Sequence, residues 1–214
     1  MRPVLIVGGA PRVAVDAVRF IQARASGATA VALASLLGAR DVAATLLLAP
    51  DAAPAAAALR YGERAELEAQ LARWIGANPR GAVVMSAAIN DYEVAEVSGR
   101  IDGSPRTWGR EDKVPSSCDE VQVRLRPASK LIDQLRRRFG LAGPIIGFKY
   151  QDAATVLVAA AQLRARVDAA LVVANSIDGA VQALVDASAT EHFPDRETML
   201  MRLSERMVRL LQER

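Results

Sequence analysis

Five short runs of branched apolar residues, at 4–7, 45–48, 82–86, 145–148 and 171–174, recur along the 214-residue chain, separated by stretches long enough for a helix. Apolar runs of this length without polar alternation fit strands buried on both faces. The segments 16–37, 64–75, 129–139 and 152–166 carry apolar residues three and four apart, as Leu67, Leu71, Trp74 and Ile75 illustrate, and predict helices. Alternating strands and helices imply right-handed crossovers and an α/β fold with a doubly wound, mainly parallel, Rossmann-like sheet. The length suits a single domain over 1–214. Only 4% of residues are aromatic, so Ala, Val and Leu must fill the core, which lets helices lie close on the sheet.

Two regions break this rhythm. Residues 93–117 are polar and rich in Gly, Pro, Ser and charge, and predict a mobile flap. Val121, Val123 and Leu125 then alternate with Gln122 and Arg124, as in a half-exposed added strand. Residues 180–185 and 191–193 predict a hairpin, and 197–212 an amphipathic helix with Leu200, Leu203, Met207 and Leu210 inward. The alanine-rich run 52–59 reads as a helix or turn rather than a linker.

Charge excludes some functions. Lys and Arg total 27 against 24 Asp and Glu, so the pI near 9.4 reflects a small surplus and no nucleic-acid partner is expected. The run Arg136-Arg137-Arg138 lacks interleaved aromatics and falls where a helix pattern ends, a place that favours cations. One cysteine, Cys118, forms no internal disulfide, and with His192 as the sole histidine the sequence names no metal ligands. The amino terminus runs straight into a strand, and no stretch approaches the ~20 apolar residues that span a bilayer. A cytoplasmic protein without a membrane segment is the expectation.

In an open parallel sheet, ligands bind beyond the carboxyl ends of the strands. Gly8-Gly9-Ala10-Pro11 follows the first strand and suits either close approach of a phosphate or a tight turn. The loop lacks the third glycine of Gly-x-Gly-x-x-Gly, and Tyr61, Tyr92 and Tyr150 have Ala65, Glu96 and Ala154 four residues on, where a dehydrogenase would place lysine. An NAD(P)-dependent oxidoreductase is therefore the minor reading. The third strand ends in Ser86-Ala87-Ala88 and leads to Asp91, a carboxylate for ribose hydroxyls or a turn cap. The fourth delivers Phe148 and Lys149, and the fifth Asn175.

Taken in order, Gly9-Ala10-Pro11, Asp16-Ala17-Val18-Arg19-Phe20-Ile21 with Ser26-Gly27, Ala87-Ala88-Ile89-Asn90-Asp91-Tyr92, Lys113-Val114-Pro115-Ser116-Ser117, Gly147-Phe148-Lys149 and Val172-Val173-Ala174-Asn175 span nearly the whole chain. In this set the sequence resembles the phosphopantothenoylcysteine synthetase family, the phosphopantothenate:cysteine ligases, in its free-standing form without the flavin decarboxylase domain. The resemblance implies a ligase of coenzyme A biosynthesis. A carboxylate of phosphopantothenate attacks the α-phosphate of CTP or ATP, pyrophosphate leaves, and the amine of cysteine displaces the nucleotide, with Mg2+ assisting. It also implies a homodimer formed through the flap-side strands. By position it implies nucleotide-binding roles for Gly9, Ala87, Ala88, Asp91, Phe148 and Asn175, a phosphate-facing flap lysine at Lys113, and a substrate clamp at Arg19 with Ser26 and Gly27 beside it.

The chain departs from the family pattern at a telling position. Where the family has an asparagine that holds the acyl carbonyl, four residues after the clamp arginine, this sequence has Ala23. Arg24, next to it and turned by about 100° if the segment is helical, is the candidate substitute. Ala10 and Pro11 replace a glycine and a threonine, the stretch between Asp91 and Lys113 is longer than in compact relatives, and Arg164 and Arg166 only approximate the family's basic residues. The alternative reading is a paralogue that binds a nucleotide with impaired ligation.

Overall fold

The computed structural model describes residues 1–55 and 57–212. Its centre is a parallel array of β1 (Val4–Gly8), β4 (Ala44–Leu48), β6 (Ala82–Met85), β10 (Ile145–Gln151) and β11 (Leu171–Ser176). The short β5 (Leu59–Arg60) extends one edge in parallel, while β12 (Gln182–Val185) and β13 (Thr190–His192) extend the other as an antiparallel hairpin. The order β13-β12-β11-β10-β6-β1-β4-β5 sets β1 between β4 and β6. The chain winds outward from β1 in one direction and then reverses, so the topological switch point lies between the carboxyl ends of β1 and β6.

Helices cover both faces, as a doubly wound sheet requires. Leu5 and Val7 pack with Leu67 and Leu71 of α2 (Arg64–Ala77), on the face also covered by α3 (Leu131–Arg137) and α4 (Val156–Val167). Val4 and Ile6 point the other way, to Leu33 and Leu37 of α1 (Ala28–Gly38) and Met207 of α5 (Arg196–Gln212). This alternation is the two-residue period of a strand with both faces buried. The carboxyl-terminal hairpin and helix form as the sequence predicts, with Met199 and Leu211 also buried in α5 and Leu210 packed at its margin.

Two expectations need correction. The helix expected over 16–37 begins only at Ala28. Residues before it form a small hairpin, β2 (Val13–Ala14) against β3 (Phe20–Ile21), because the Asp16 carboxylate accepts the N–H groups of Val18 and Arg19 and so closes a turn in place of a helix. Arg24 therefore lies on irregular chain and not on a helix. The stretch expected as a flap contains β7 (Tyr92–Ile101) and β8 (Ser104–Trp108), joined through Asp102 and Gly103 with positive φ at both, and β9 (Glu120–Pro127) pairs with the other side of β7. These strands make a separate three-stranded sheet, so the added strand joins β7 and not the main sheet. Irregular chain is confined to 109–119. The run 52–59 includes Ala56, outside the described residues; turns flank it and β5 begins at Leu59. No helix among the described residues is long and apolar enough to cross a membrane.

The fit of α1 on β1 makes a paired prediction. A Cβ at Gly8 would stand 2.5 Å from the Ala30 Cβ and 3.0 Å from Leu48 Cδ2, whereas one at Gly76, on α2, would meet nothing within 4 Å. Gly8→Ala is expected to destabilise by roughly 1–3 kcal/mol through overpacking. Gly76→Ala is expected to stabilise by about 0.5–1 kcal/mol through helix propensity. Urea unfolding of the two variants measures this, and similar shifts in both would contradict the close packing of α1 on β1.

Candidate active site

The floor of the crevice is built from backbone. Gly9 and Gly27 have φ of 85° and 68°, which only glycine adopts at little cost. A Cβ on Gly27 would lie 2.8 Å from the Ala52 Cβ and 3.3 Å from the Gly9 nitrogen, and one on Gly9 would lie 2.6 Å from the Ala49 Cβ. The loops after β1, before α1 and after β4 are thus in direct contact. The end of β6 joins them, since Ala88 N–H donates to Gly9 O at 2.9 Å and Ser86 Oγ donates to Val7 O at 2.7 Å. Gln22 Nε2 donates to Ala10 O at 2.7 Å, and Ala53 N–H to Ser26 O at 2.7 Å. Beneath, the buried Tyr61 hydroxyl donates to Gly8 O at 2.9 Å, and burial raises its pKa far above the ordinary range, so it stays a donor. Gly9, Ser26, Gly27, Ala87 and Ala88 therefore meet at the switch point. Beside them α1 opens on Gly27 with no acidic residue in its first turn; Ala28 N–H donates to Ser26 Oγ at 3.4 Å, and the positive end of the helix dipole has no charged partner there.

Arg19 and the segment that carries Lys113, far apart in sequence, are joined through Asp16. Asp16 Oδ2 accepts Arg19 Nη1 at 2.6 Å and Val114 N–H at 3.1 Å, and Arg19 Nη2 donates to Val114 O at 3.3 Å. Ala17 N–H donates to Asp112 O at 2.9 Å. Burial alone would raise the Asp16 pKa, but the N–H groups of Val18, Val114 and Arg19, with the Arg19 charge, outweigh it and hold the carboxyl below its usual value. The carboxylate is therefore ionised at neutral pH. Its contribution persists above the ordinary carboxylate range and is lost only as the pH falls through the lowered value. The Lys113 side chain remains exposed, and that of Arg19 is half exposed.

The remaining expected residues are spread along the strand ends. Asp91 is exposed and ion-paired with Lys130 at 3.1 Å. Its neighbour Asn90 makes the turn contact, accepting Tyr92 N–H at 3.1 Å, so the cap function belongs to Asn90. Phe148 packs on the α1 and α5 face, and Asn175 lies two residues beyond its partner Val173 on that same face, with its Oδ1 buried and without a hydrogen-bond partner among the described residues. Arg24 is exposed and has no hydrogen bond or ion pair among the described residues.

Sequence reasoning missed the scaffold around these groups. A cavity of about 510 Å³ opens between residues 11–15, the start of α2 and the small sheet, with Arg12, Val15, Arg64, Ile89, Trp108 and Arg110 among its walls. None of the expected site residues lines it. Arg12 forms two contacts with Asp51 at 2.8 and 2.9 Å and lies 4.4 Å over the Phe20 ring. No local pattern announces that pairing. Asp16 did leave a signal, an aspartate three residues before an arginine.

The family profile described as "DNA/pantothenate metabolism flavoprotein C-terminal domain" matches residues 1–205. The chain belongs to this family. Solved structures agree on the fold. The DNA/pantothenate metabolism flavoprotein from Streptococcus pneumoniae superposes with a TM-score of 0.80 at 16% identity, covering 98% of this chain and 99% of that one. A Cab2 mutant in complex with phosphopantothenate-cysteine gives 0.76 at 15% identity, over 98% of this chain and 86% of that one. The C-terminal domain of the coenzyme A biosynthesis bifunctional protein CoaBC gives 0.71 at 16%, over 97% and 92%. Comparison with curated proteins returns no significant match.

In this DNA/pantothenate metabolism domain the exposure of Asp91 sets a limit on its structural value. A surface ion pair is worth about 0–1 kcal/mol. Asp91→Ala is expected to lower stability without ligand by no more than that in urea unfolding. A loss above about 2 kcal/mol would assign Asp91 a structural duty.

Proposed function

We propose that the chain is a ligase that activates the carboxylate of phosphopantothenate on a nucleotide, CTP or ATP, and transfers the acyl group to the amine of cysteine. The observation that supports this reading is the bonding of Arg19 and Asp16 to Val114, next to Lys113, on a hairpin whose Gln22 is bonded to the loop after β1. Activating a carboxylate on a polyphosphate requires two anions to be aligned and their repulsion offset. The complex of the Cab2 mutant with phosphopantothenate-cysteine, on a similar fold, supports the same product class.

The chemistry divides between the two cations and the floor. Arg19, with guanidinium edges free beyond Asp16 and Val114, would hold the acid. Lys113 would face the phosphates, and the backbone around Gly9, Ala87 and Ala88, with the open end of α1, would receive them. A carboxylate oxygen then bonds to the α-phosphorus as pyrophosphate leaves. The amine of cysteine next attacks the acyl carbon, loses a proton, and releases the nucleoside monophosphate. Phe148 and Asn175 would shape the base end, and Asp91 would reach the ribose after leaving Lys130. Mg2+ would be carried on the nucleotide's own phosphates.

A second reading, nucleotide binding with impaired ligation, is favoured by Ala23, which has no polar side chain where the acyl carbonyl would need a donor, and by the solvent exposure of Arg24. Pyrophosphate release with phosphopantothenate, cysteine and each nucleotide in turn separates the two. We expect release that requires both the acid and a nucleotide, and a loss of roughly a hundredfold in Lys113→Gln, the scale of one positioned electrostatic contact. Nucleotide binding without release, restored by Ala23→Asn, would support the impaired reading instead.

The small sheet suggests how two copies would associate. β9 is an edge strand, and Val121, Val123 and Leu125 on it are 44%, 37% and 41% exposed. An exposed edge with an apolar row is a template for pairing. Light scattering is expected to give a dimer, and Val123→Lys a monomer of unchanged fold. A monomeric wild type at micromolar concentration would sink this assignment.

A further inference from the structure

Asp16 has no place in the chemistry described above, yet it is the most heavily bonded side chain near it. Its side chain has no exposure to solvent. Oδ1 accepts the N–H groups of Val18 and Arg19 at 2.9 and 2.7 Å, closing the local turn. Oδ2 accepts Arg19 Nη1 at 2.6 Å and Val114 N–H at 3.1 Å, and so works at long range. Two further bonds cross the same gap, from Ala17 N–H to Asp112 O and from Arg19 Nη2 to Val114 O. The residues on either side of Lys113 are thus fastened to 16–19, while the Lys113 side chain projects from exposed chain.

We propose that Asp16 is a positioning residue, which holds Arg19 and Lys113 as one unit and fixes the separation between the cation for the acid and the cation for the phosphates. The identity of those two anions rests on the ligase reading; the hold on Lys113 does not. A flexible lysine on irregular chain contributes little to a transition state, since a misplacement of about 1 Å can cost on the order of a hundredfold in rate. The division of labour between the two oxygens is what makes the proposal separable from a merely structural role. With asparagine in place of Asp16, the amide oxygen can still accept from Val18 and Arg19, but the amide nitrogen then faces the Arg19 guanidinium and Val114 N–H, donor against donors. The turn survives, while the hold on Val114 is lost and the link to Lys113 is left to the backbone bond from Ala17 to Asp112 and the freed Arg19 side chain.

Native-state trypsin digestion with mass spectrometry reads the link directly, through cleavage between Lys113 and Val114. Asp16→Asn is expected to accelerate that cleavage at least about tenfold relative to cleavage elsewhere, and to lower kcat for pyrophosphate release by about ten- to a hundredfold with KM for the nucleotide little changed. If Asp16→Asn does not fold, Arg19→Leu, which removes one of the three cross-gap bonds, is expected to accelerate the same cleavage to a smaller degree. Unchanged cleavage after Lys113, acceleration at all sites alike, or a loosened segment with unchanged kcat would each overturn the proposal. Selective loosening in a protein whose wild type releases no pyrophosphate would overturn the ligase reading while retaining the hold of Asp16 on Lys113.

Discussion

Small residues at the carboxyl end of β1 let three loops touch through their backbones, and the rest of the crevice is arranged around that contact. Gly8 accepts the flank of α1, Gly9 accepts Ala49, and Gly27 accepts Ala52, each at a distance that excludes any added carbon. Close packing of this kind cannot deform smoothly, because interiors at crystal-like density transmit a displacement of one atom to its neighbours. The open amino end of α1 thus sits beside the switch point by steric necessity. An anion entering there would meet backbone donors already in place, with little reorganisation left for the reaction step.

On that floor stands a second layer made of charge. A buried carboxylate is costly unless its oxygens are fully engaged, and Asp16 meets the condition with backbone donors and one guanidinium. The same bonds connect the 13–21 hairpin to the 109–119 segment, so the small sheet and its loop are anchored to the first strand of the main sheet. Arg12, clasped by Asp51 and stacked on Phe20, braces the other side of the hairpin. The hairpin is a carrier for Arg19, held from both ends.

The sequence displays the parallel core clearly, because runs such as 82–86 and 171–174 are apolar on both faces and leave no other home than a doubly covered sheet. It concealed the hairpin at 13–21: Val18 and Ile21 stand three apart as on a helix, and only the bonds of the Asp16 carboxylate to the Val18 and Arg19 N–H groups show that the first part is a turn. The small sheet was half visible, since Val121, Val123 and Leu125 alternate plainly, while the charged β7 strand resembles loop composition. Of the site, the strand-end residues near Gly9 and Ala88 were legible from topology, because a switch point follows from strand order. The partnership of Asp16 with Val114, across 98 residues, follows from no pattern in one sequence. Ala23 is legible only as a departure from the family pattern.

The central claim, that a carboxylate is activated through a bond to the nucleotide's α-phosphorus, has one direct test. Phosphopantothenate carrying a heavy-oxygen label in its carboxylate is turned over with cysteine and the accepted nucleotide, and the products are weighed by mass spectrometry. Attack of the carboxylate on the α-phosphorus predicts one labelled oxygen in the released nucleoside monophosphate and none in the pyrophosphate. Label in inorganic phosphate beside a nucleoside diphosphate, or no label in any phosphorus product, would contradict it.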